Sequence, residues 1–108
     1  MTTITEGYEQ ATMINVFTVH PDRAEELAAF LTQATEEVIQ HVPGFISANI
    51  HLSTDRTRVV NYAQWQNAEA LAAMQKDPAA QVHMRQAAEL AEGFDPHLYT
   101  VESVHEHL

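Results

Sequence analysis

Two segments near the middle of the chain, 45–53 and 57–66, alternate in character along their length and are separated by a short turn. Alternation with a period of two is typical of β-strands whose two faces have different environments. The turn reads Ser-Thr-Asp-Arg, which favours a tight reversal of the chain. The two segments therefore predict an antiparallel hairpin. Its first strand places Phe45 and His51 on one face, and its second strand places Asn61 and Trp65 together.

Helical and extended segments surround this hairpin. Residues 12–19 and 97–104 predict a first and a last strand, and an amphipathic helix capped by Asp22 lies between the first strand and the hairpin. Asn67 and Asp77 predict the N-caps of two shorter helices. The resulting order, β-α-β-β-α-α-β, predicts an α+β fold of the ferredoxin-like (split βαβ) class with an antiparallel sheet.

Both faces of the first predicted strand are mostly apolar. Met13, Asn15 and Phe17 lie on one face, and Ile14 and Val16 lie on the other. Helices packed on one side of the sheet leave the other apolar face uncovered, so a second covering surface is needed. Another copy of the same chain is the simplest such surface, and a homodimer is predicted.

The size and charge of the chain limit its partners. A length of 108 residues is near that of one domain, so 1–108 is predicted to form one, with 1–11 and 105–108 flexible. A formal net charge of -10 disfavours nucleic acid and anionic membranes as partners. The chain has no Cys, no apolar run of roughly 20 residues, and a polar, acidic N-terminus. These features predict a cytoplasmic protein.

Several short motifs resemble those of one known family. They are Pro43-Gly44-Phe45 before the hairpin, Asn61-Tyr62-Ala63-Gln64-Trp65 within it, and Asp77-Pro78 and Arg85 further along the chain. In this combination the chain resembles the antibiotic biosynthesis monooxygenase (ABM) family, and within it the small enzymes that oxidise an anthrone to a quinone. The resemblance extends from about residue 15 to residue 104.

The resemblance implies a dimeric α/β-barrel in which each subunit holds a pocket between its sheet and its helices. It implies no metal and no flavin cofactor, because a deprotonated phenol or anthrone can itself give an electron to O2. The predicted partners are an aromatic small molecule, O2 and a second copy of the chain. By position, the resemblance implies catalytic roles for Asn61, Trp65 and Arg85. The predicted substrate-binding residues are Asn15, Phe17, His51, Leu71 and His83.

Leu71 departs from the family pattern, because the anthrone-oxidising members have at this position a tyrosine that is thought to take part in proton transfer. Another group must then supply or accept the proton. His51 and His83 are the candidates, since imidazole changes its charge near neutral pH. No spacing of His with carboxylates gathers on one helix face, so a metal site is not predicted.

Two other functions fit the same residues. Haem-degrading members of the fold family use a strand asparagine, a helix histidine and a helix tryptophan. Asn15 and His83 match the first two, while Ala73 stands where the tryptophan would be. The pocket could also bind an aromatic metabolite without catalysis. At Arg85, a surface ion pair with Glu89 or Asp77 is the alternative to a functional role.

Overall fold

A computed structural model describes residues 2–107 of this chain, apart from the side chain of Tyr8. The elements are β1 (Gly7–Thr18), α1 (Pro21–Glu37), a 3₁₀ helix (Ile39–His41), β2 (Phe45–Leu52), β3 (Arg58–Trp65), α2 (Ala68–Lys76), α3 (Pro78–Leu90) and β4 (Gly93–Val101). The strands form one antiparallel sheet in the order β2-β3-β1-β4. This is the predicted α+β, ferredoxin-like arrangement, which is therefore confirmed.

The outer strands differ most from their predicted bounds. β1 begins at Gly7 and β4 at Gly93, each several residues earlier than predicted. Gly7 pairs with Val101, and the register shifts between Gly7 and Thr12. Backbone pairing extends β1 through a polar segment that has no strand pattern of its own. The flexibility of 1–11 and 105–108 stays a prediction. Residues 105–107 lie in neither helix nor strand, and Met1 and Leu108 lie outside the described residues.

The helix caps follow the sequence at two of the three predicted positions. The side chain of Asn67 accepts a hydrogen bond from the Ala70 backbone N–H at 2.8 Å, and the Asp77 carboxylate caps α3 in the same way. The predicted cap Asp22 is wrong. Pro21 occupies the first helical position, which needs no N–H partner, and His20 precedes it as the N-cap.

A bulge near the start of β2 changes which side chains share a face. The register shifts between Phe45 and Ser47, so Phe45 lies opposite Trp65 on the face covered by the helices. The two rings meet edge-on with their centroids 5.4 Å apart. His51 lies on the opposite face, beside Val60. A strict alternation along β2 therefore fails, because a bulge inserts one residue and reverses the faces beyond it.

The core between sheet and helices consists of two buried clusters. One surrounds Trp65 and Leu71, and the other surrounds Phe17 and Val59. On β1 and β3 the two clusters are separated by one directly opposed pair, Asn15 and Asn61. None of the helices within residues 2–107 is long and apolar enough to cross a membrane.

Candidate active site

A cavity of about 550 Å³ lies between the sheet and the helices. The sheet contributes apolar side chains and two amides, and the helices contribute apolar, amide and basic side chains. The lining residues used below are Asn15, Asn61, Trp65, Gln81, His83 and Arg85. A cavity of this size, mostly apolar with a few polar groups, is typical of a small-molecule site.

The floor of the cavity contains a pair of amides. Asn15 and Asn61 are directly opposite each other on β1 and β3 and therefore point to the same face. The Asn15 side-chain oxygen accepts a hydrogen bond from the Asp95 backbone N–H at 3.2 Å, which anchors it to β4. The Oδ1 atom of Asn61 is buried and has no hydrogen-bond partner among the described residues. The two amides therefore differ, since one oxygen is used by the fold and the other is not.

Trp65 closes one end of the cavity floor. It is 1% exposed and packs against Phe45, yet its indole Nε1 has no hydrogen-bond partner within the described part of the chain. Trp65 lies four residues after Asn61 on the same face, a separation of about 13 Å along an extended strand. The two unpaired polar atoms are therefore an indole donor and an amide acceptor at different places along the floor.

Helix α3 brings a histidine and an arginine to the cavity. The Nδ1 atom of His83 is buried without a partner, and its ring lies 5.9 Å from the ring of Phe30 on α1. Arg85 is exposed and makes no ion pair within 4.0 Å in residues 2–107. The alternative partner Asp77 is instead occupied as the cap of α3. The surface ion pairs considered for Arg85 are therefore absent.

Three unpaired polar atoms belong to side chains of this cavity. A buried polar group without a partner costs about 1–3 kcal/mol, and most such groups in proteins are paired. Here Asn61, Trp65 and His83 each have one such atom, and all three side chains line the same cavity. Such a concentration of unpaired groups at one place is more typical of a functional site than of simple packing.

Most of the residues predicted from the sequence meet at this cavity. Its lining includes Asn15, Phe17, Asn61, Trp65, His83 and Arg85. The lining of this cavity does not include His51 or Leu71, and their roles in substrate binding stay predictions. His51 is exposed on the other face of the sheet, where its ring bonds to the Asn49 carbonyl. Leu71 is 3% exposed and belongs to the core cluster around Trp65.

Two glutamines of the lining were not predicted from the sequence. Gln75 and Gln81 belong to the cavity wall, and the Gln81 side chain donates to the Gln75 carbonyl at 3.2 Å. Gln81 precedes Arg85 by four residues on α3, so both lie on one face of that helix. This four-residue spacing from Arg85 is the sequence pattern from which Gln81 could have been predicted to line the cavity. Gln75 ends a short helix, and nothing in its local sequence distinguishes it.

Comparisons with known proteins agree with this geometry. The family model described as "Antibiotic biosynthesis monooxygenase" matches residues 11–86. Tetracenomycin-F1 monooxygenase of Streptomyces glaucescens is 47% identical over 83 residues, which cover 77% of this chain and 74% of the relative.

Solved structures have the same fold. A monooxygenase from the gene ActVA-Orf6 of Streptomyces coelicolor, in complex with nanaomycin D, matches with a TM-score of 0.83 and 30% identity, covering 91% of this chain and 92% of the other. SnoaB, a cofactor-independent oxygenase from Streptomyces nogalater, matches with a TM-score of 0.73 and 23% identity, covering 89% and 96%. The second likeness concerns the fold alone.

Proposed function

This chain belongs to the antibiotic biosynthesis monooxygenase family and is a monooxygenase, and we propose that it oxidises a polycyclic aromatic phenol or anthrone to a quinone with O2. We further propose that it needs no cofactor. The names of two relatives support this proposal, since one is a tetracenomycin-F1 monooxygenase and another is a monooxygenase in complex with nanaomycin D. The single observation that carries the proposal is the set of unpaired polar atoms around one apolar cavity.

The spacing of these atoms supports a substrate with several fused rings. The Cα atoms of Asn61 and Trp65 are about 13 Å apart along an extended strand, and this spacing suits a ligand with several fused rings. Apolar side chains such as Met13, Phe17 and Leu31 complete the walls and fit the faces of a flat hydrocarbon. The indole N–H can donate to a phenol, phenolate or carbonyl oxygen, and the Asn61 oxygen can accept from a hydroxyl.

The chemistry assigned to the protein is positioning and charge stabilisation. Once deprotonated, an electron-rich aromatic substrate can reduce O2 without help from a bound redox group. The protein must then hold the substrate, exclude water and stabilise the anion. We assign the holding to Asn61 and Trp65. A guanidinium is a permanent cation in proteins, so we assign to Arg85 the role of a positive charge near the anion.

We also propose that the protein is a homodimer, joined through the face of the sheet opposite the helices. Ile14, Val16 and Val60 on that face are only partly buried within one chain. The chain's own first residues cover another part of it, since Thr2 bonds to Asn49 and Thr3 to Gln64. The centre of the face therefore remains for a second copy of the chain to cover. The partly exposed apolar side chains there support this arrangement.

Sedimentation velocity tests the dimer directly. Val16→Glu places a charge in the centre of the proposed interface and is expected to give a monomer at concentrations at which the unmodified protein is dimeric. Ala29→Glu, on the exposed surface of α1, is the matched control and should leave the dimer intact. A monomeric unmodified protein would overturn the proposal.

Oxygen consumption tests the proposed reaction. We expect the protein to consume O2 with dithranol or a related anthrone, with chelator present and no flavin added, and to produce the quinone. Ligand-induced thermal stabilisation without O2 uptake would instead identify a binding protein. A Soret band on addition of haemin would favour the haem function, although Ala73, at the position expected for its tryptophan, is exposed and outside the cavity lining.

A further inference from the structure

We infer that His83 is the general base of this reaction, which takes a proton from the bound substrate and later returns it to the peroxide. The inference rests on the proposed function and adds to it a catalytic residue. Leu71 cannot exchange a proton, and it lies in the core away from the cavity. The group that performs the proton transfer must therefore be elsewhere.

The composition of the cavity wall leaves one candidate. Of the side chains that the structure describes along the cavity, only His83 and Arg85 ionise, because the wall contains no Asp, Glu, Lys, Tyr or Cys. The guanidinium of an arginine is a hydrogen-bond donor with no acceptor, so it does not serve as a base. An imidazole can accept and return a proton near neutral pH. His83 is thus the one described lining residue that can perform the transfer.

The hydrogen bonding of His83 sets it apart from the other histidines in the folded part of the chain. Each of those has a hydrogen-bonding contact within residues 2–107, and they are His20, His41, His51 and His97. His83 has none, and its Nδ1 atom is buried. The tautomer that carries its proton on the buried Nδ1 leaves Nε2, which is not among the buried unpaired atoms, free to accept a proton from the substrate.

The surroundings of His83 hold it in place without competing for the proton. α1 contacts it through the ring of Phe30. The described side chains that α1, α2 and the strands contribute to the cavity lining are uncharged, and the acidic side chains of α1 are exposed. Arg85, two residues along α3, is the charged group that shares the cavity with His83. Its charge balances the anion that remains on the substrate when His83 takes the proton.

The proton and electron changes balance over the complete reaction. His83 removes one proton from the anthrone, and the bonding electrons remain on the substrate as a resonance-stabilised anion. The anion transfers one electron to O2, and the radical pair combines to form a carbon–oxygen bond and a peroxide anion. The imidazolium returns its proton to the peroxide. The hydroperoxide then loses water, with the remaining hydrogen of that carbon, to form the quinone carbonyl, so O2 supplies one oxygen atom to the product and one to water.

The test compares His83→Gln with His41→Gln in O2 uptake with dithranol across the pH range. We expect His83→Gln to lower kcat on the order of 100-fold at neutral pH with little change in KM. The deficit should shrink as pH rises and the substrate ionises in solution, and added imidazole should restore part of the rate. His41→Gln, which alters an exposed histidine outside the cavity lining, should match the unmodified enzyme.

The outcomes separate this inference from the proposed function. If the unmodified protein consumes no O2 with any anthrone, the proposed function fails and the role of His83 fails with it. If the unmodified protein is active and His83→Gln retains its kcat and pH profile, only the role of His83 is overturned. A lower rate with an unchanged pH profile and a lower unfolding temperature would also overturn it, since that result describes a structural role. His83→Asn provides a second variant for the same measurements.

Discussion

The two faces of the sheet treat their buried polar side chains in opposite ways. On the face away from the helices, Gln64 is 1% exposed and both ends of its amide are bonded. Its oxygen accepts from the Ser47 hydroxyl at 2.6 Å, and its nitrogen donates to the Thr3 carbonyl at 2.9 Å. On the helix-covered face, Asn61 and Trp65 each keep a buried polar atom without a partner.

Within one strand, a polar side chain that stabilises the fold can therefore be distinguished from one that is available for function. Gln64 and Asn61 both belong to β3, and both are amides. The satisfied amide ties the N-terminal residues to the sheet, so its hydrogen bonds contribute to folding. The unsatisfied amide contributes nothing comparable in the empty protein. A fold retains such a group at a cost in stability, which is expected where a ligand completes the hydrogen bonding.

The largest expected effect is that of Asn61→Ala on catalysis. Removing one group that holds the reacting substrate lowers turnover by about 100-fold to 1000-fold in comparable sites. The free energy of unfolding should change little, because the lost amide oxygen has no partner to leave behind. Anthrone oxidation and urea denaturation measure the two effects. Equal turnover in the variant and the unmodified enzyme would contradict the proposed role of Asn61.

Gln64→Ala is expected to give the reverse result. Its removal leaves the Ser47 hydroxyl and the Thr3 carbonyl without their partner, which should lower the free energy of unfolding by about 1–3 kcal/mol. kcat should remain within about twofold, because Gln64 lies outside the cavity lining. Urea denaturation measures the loss. A large loss of kcat in a stably folded Gln64→Ala protein would remove the distinction between the two faces.

The alternation in β3 correctly predicted which of its side chains share a face of the sheet. The alternation in β2 did not. Strict alternation placed Asn61 and Trp65 on one face of β3, and the cavity lining includes both side chains. The same rule failed in β2, because the bulge after Phe45 depends on pairing with a neighbouring strand. As a result, His51 was predicted at the cavity and lies on the opposite face.

The existence and size of the cavity could not be predicted from sequence patterns. A cavity exists because two core clusters leave a space between them, and helix packing determines the size of that space. Leu71 shows the difficulty, since the resemblance placed it in the pocket while packing buries it beside Trp65. The absence of hydrogen bonds at His83 is likewise visible only in three dimensions.

A smaller effect is expected at the cavity edge, where Arg85 is exposed. Arg85→Gln should lower kcat by about tenfold, because solvent and salt screen an exposed charge more strongly than a buried one. Arg85→Lys keeps the charge and should recover part of the rate. Measuring kcat at low and high ionic strength checks the cause, since the deficit of Arg85→Gln should shrink with salt. A deficit that is independent of salt would argue against an electrostatic role.

The smallest effect concerns the turn that holds β2 and β3 in register. Hydrogen bonds from the side chain and backbone of Thr57, and from the Ser53 hydroxyl, lower the pKa of the Asp55 carboxyl from 3.8 to about 2. A carboxyl with a lowered pKa in the folded state stabilises the fold above its ordinary pKa, and this contribution disappears as pH falls toward the folded value. Asp55→Ala should therefore lower the unfolding temperature slightly at pH 6, and the difference should close between pH 4 and about pH 2.

The same turn links the two faces, because a slip of one residue between β2 and β3 would move Asn61 out of the cavity and Gln64 into it. Asp55→Ala leaves the Ser53 hydroxyl bonded to the backbone N–H groups of Thr57 and Arg58, so the register should persist. Anthrone oxidation by Asp55→Ala should therefore equal that of the unmodified enzyme, with Thr57→Ala as the matched control for the pH dependence. A loss of activity that accompanies the small loss of stability would mean that Asp55, rather than the alternation of β3 and its neighbours, determines which amide faces the substrate.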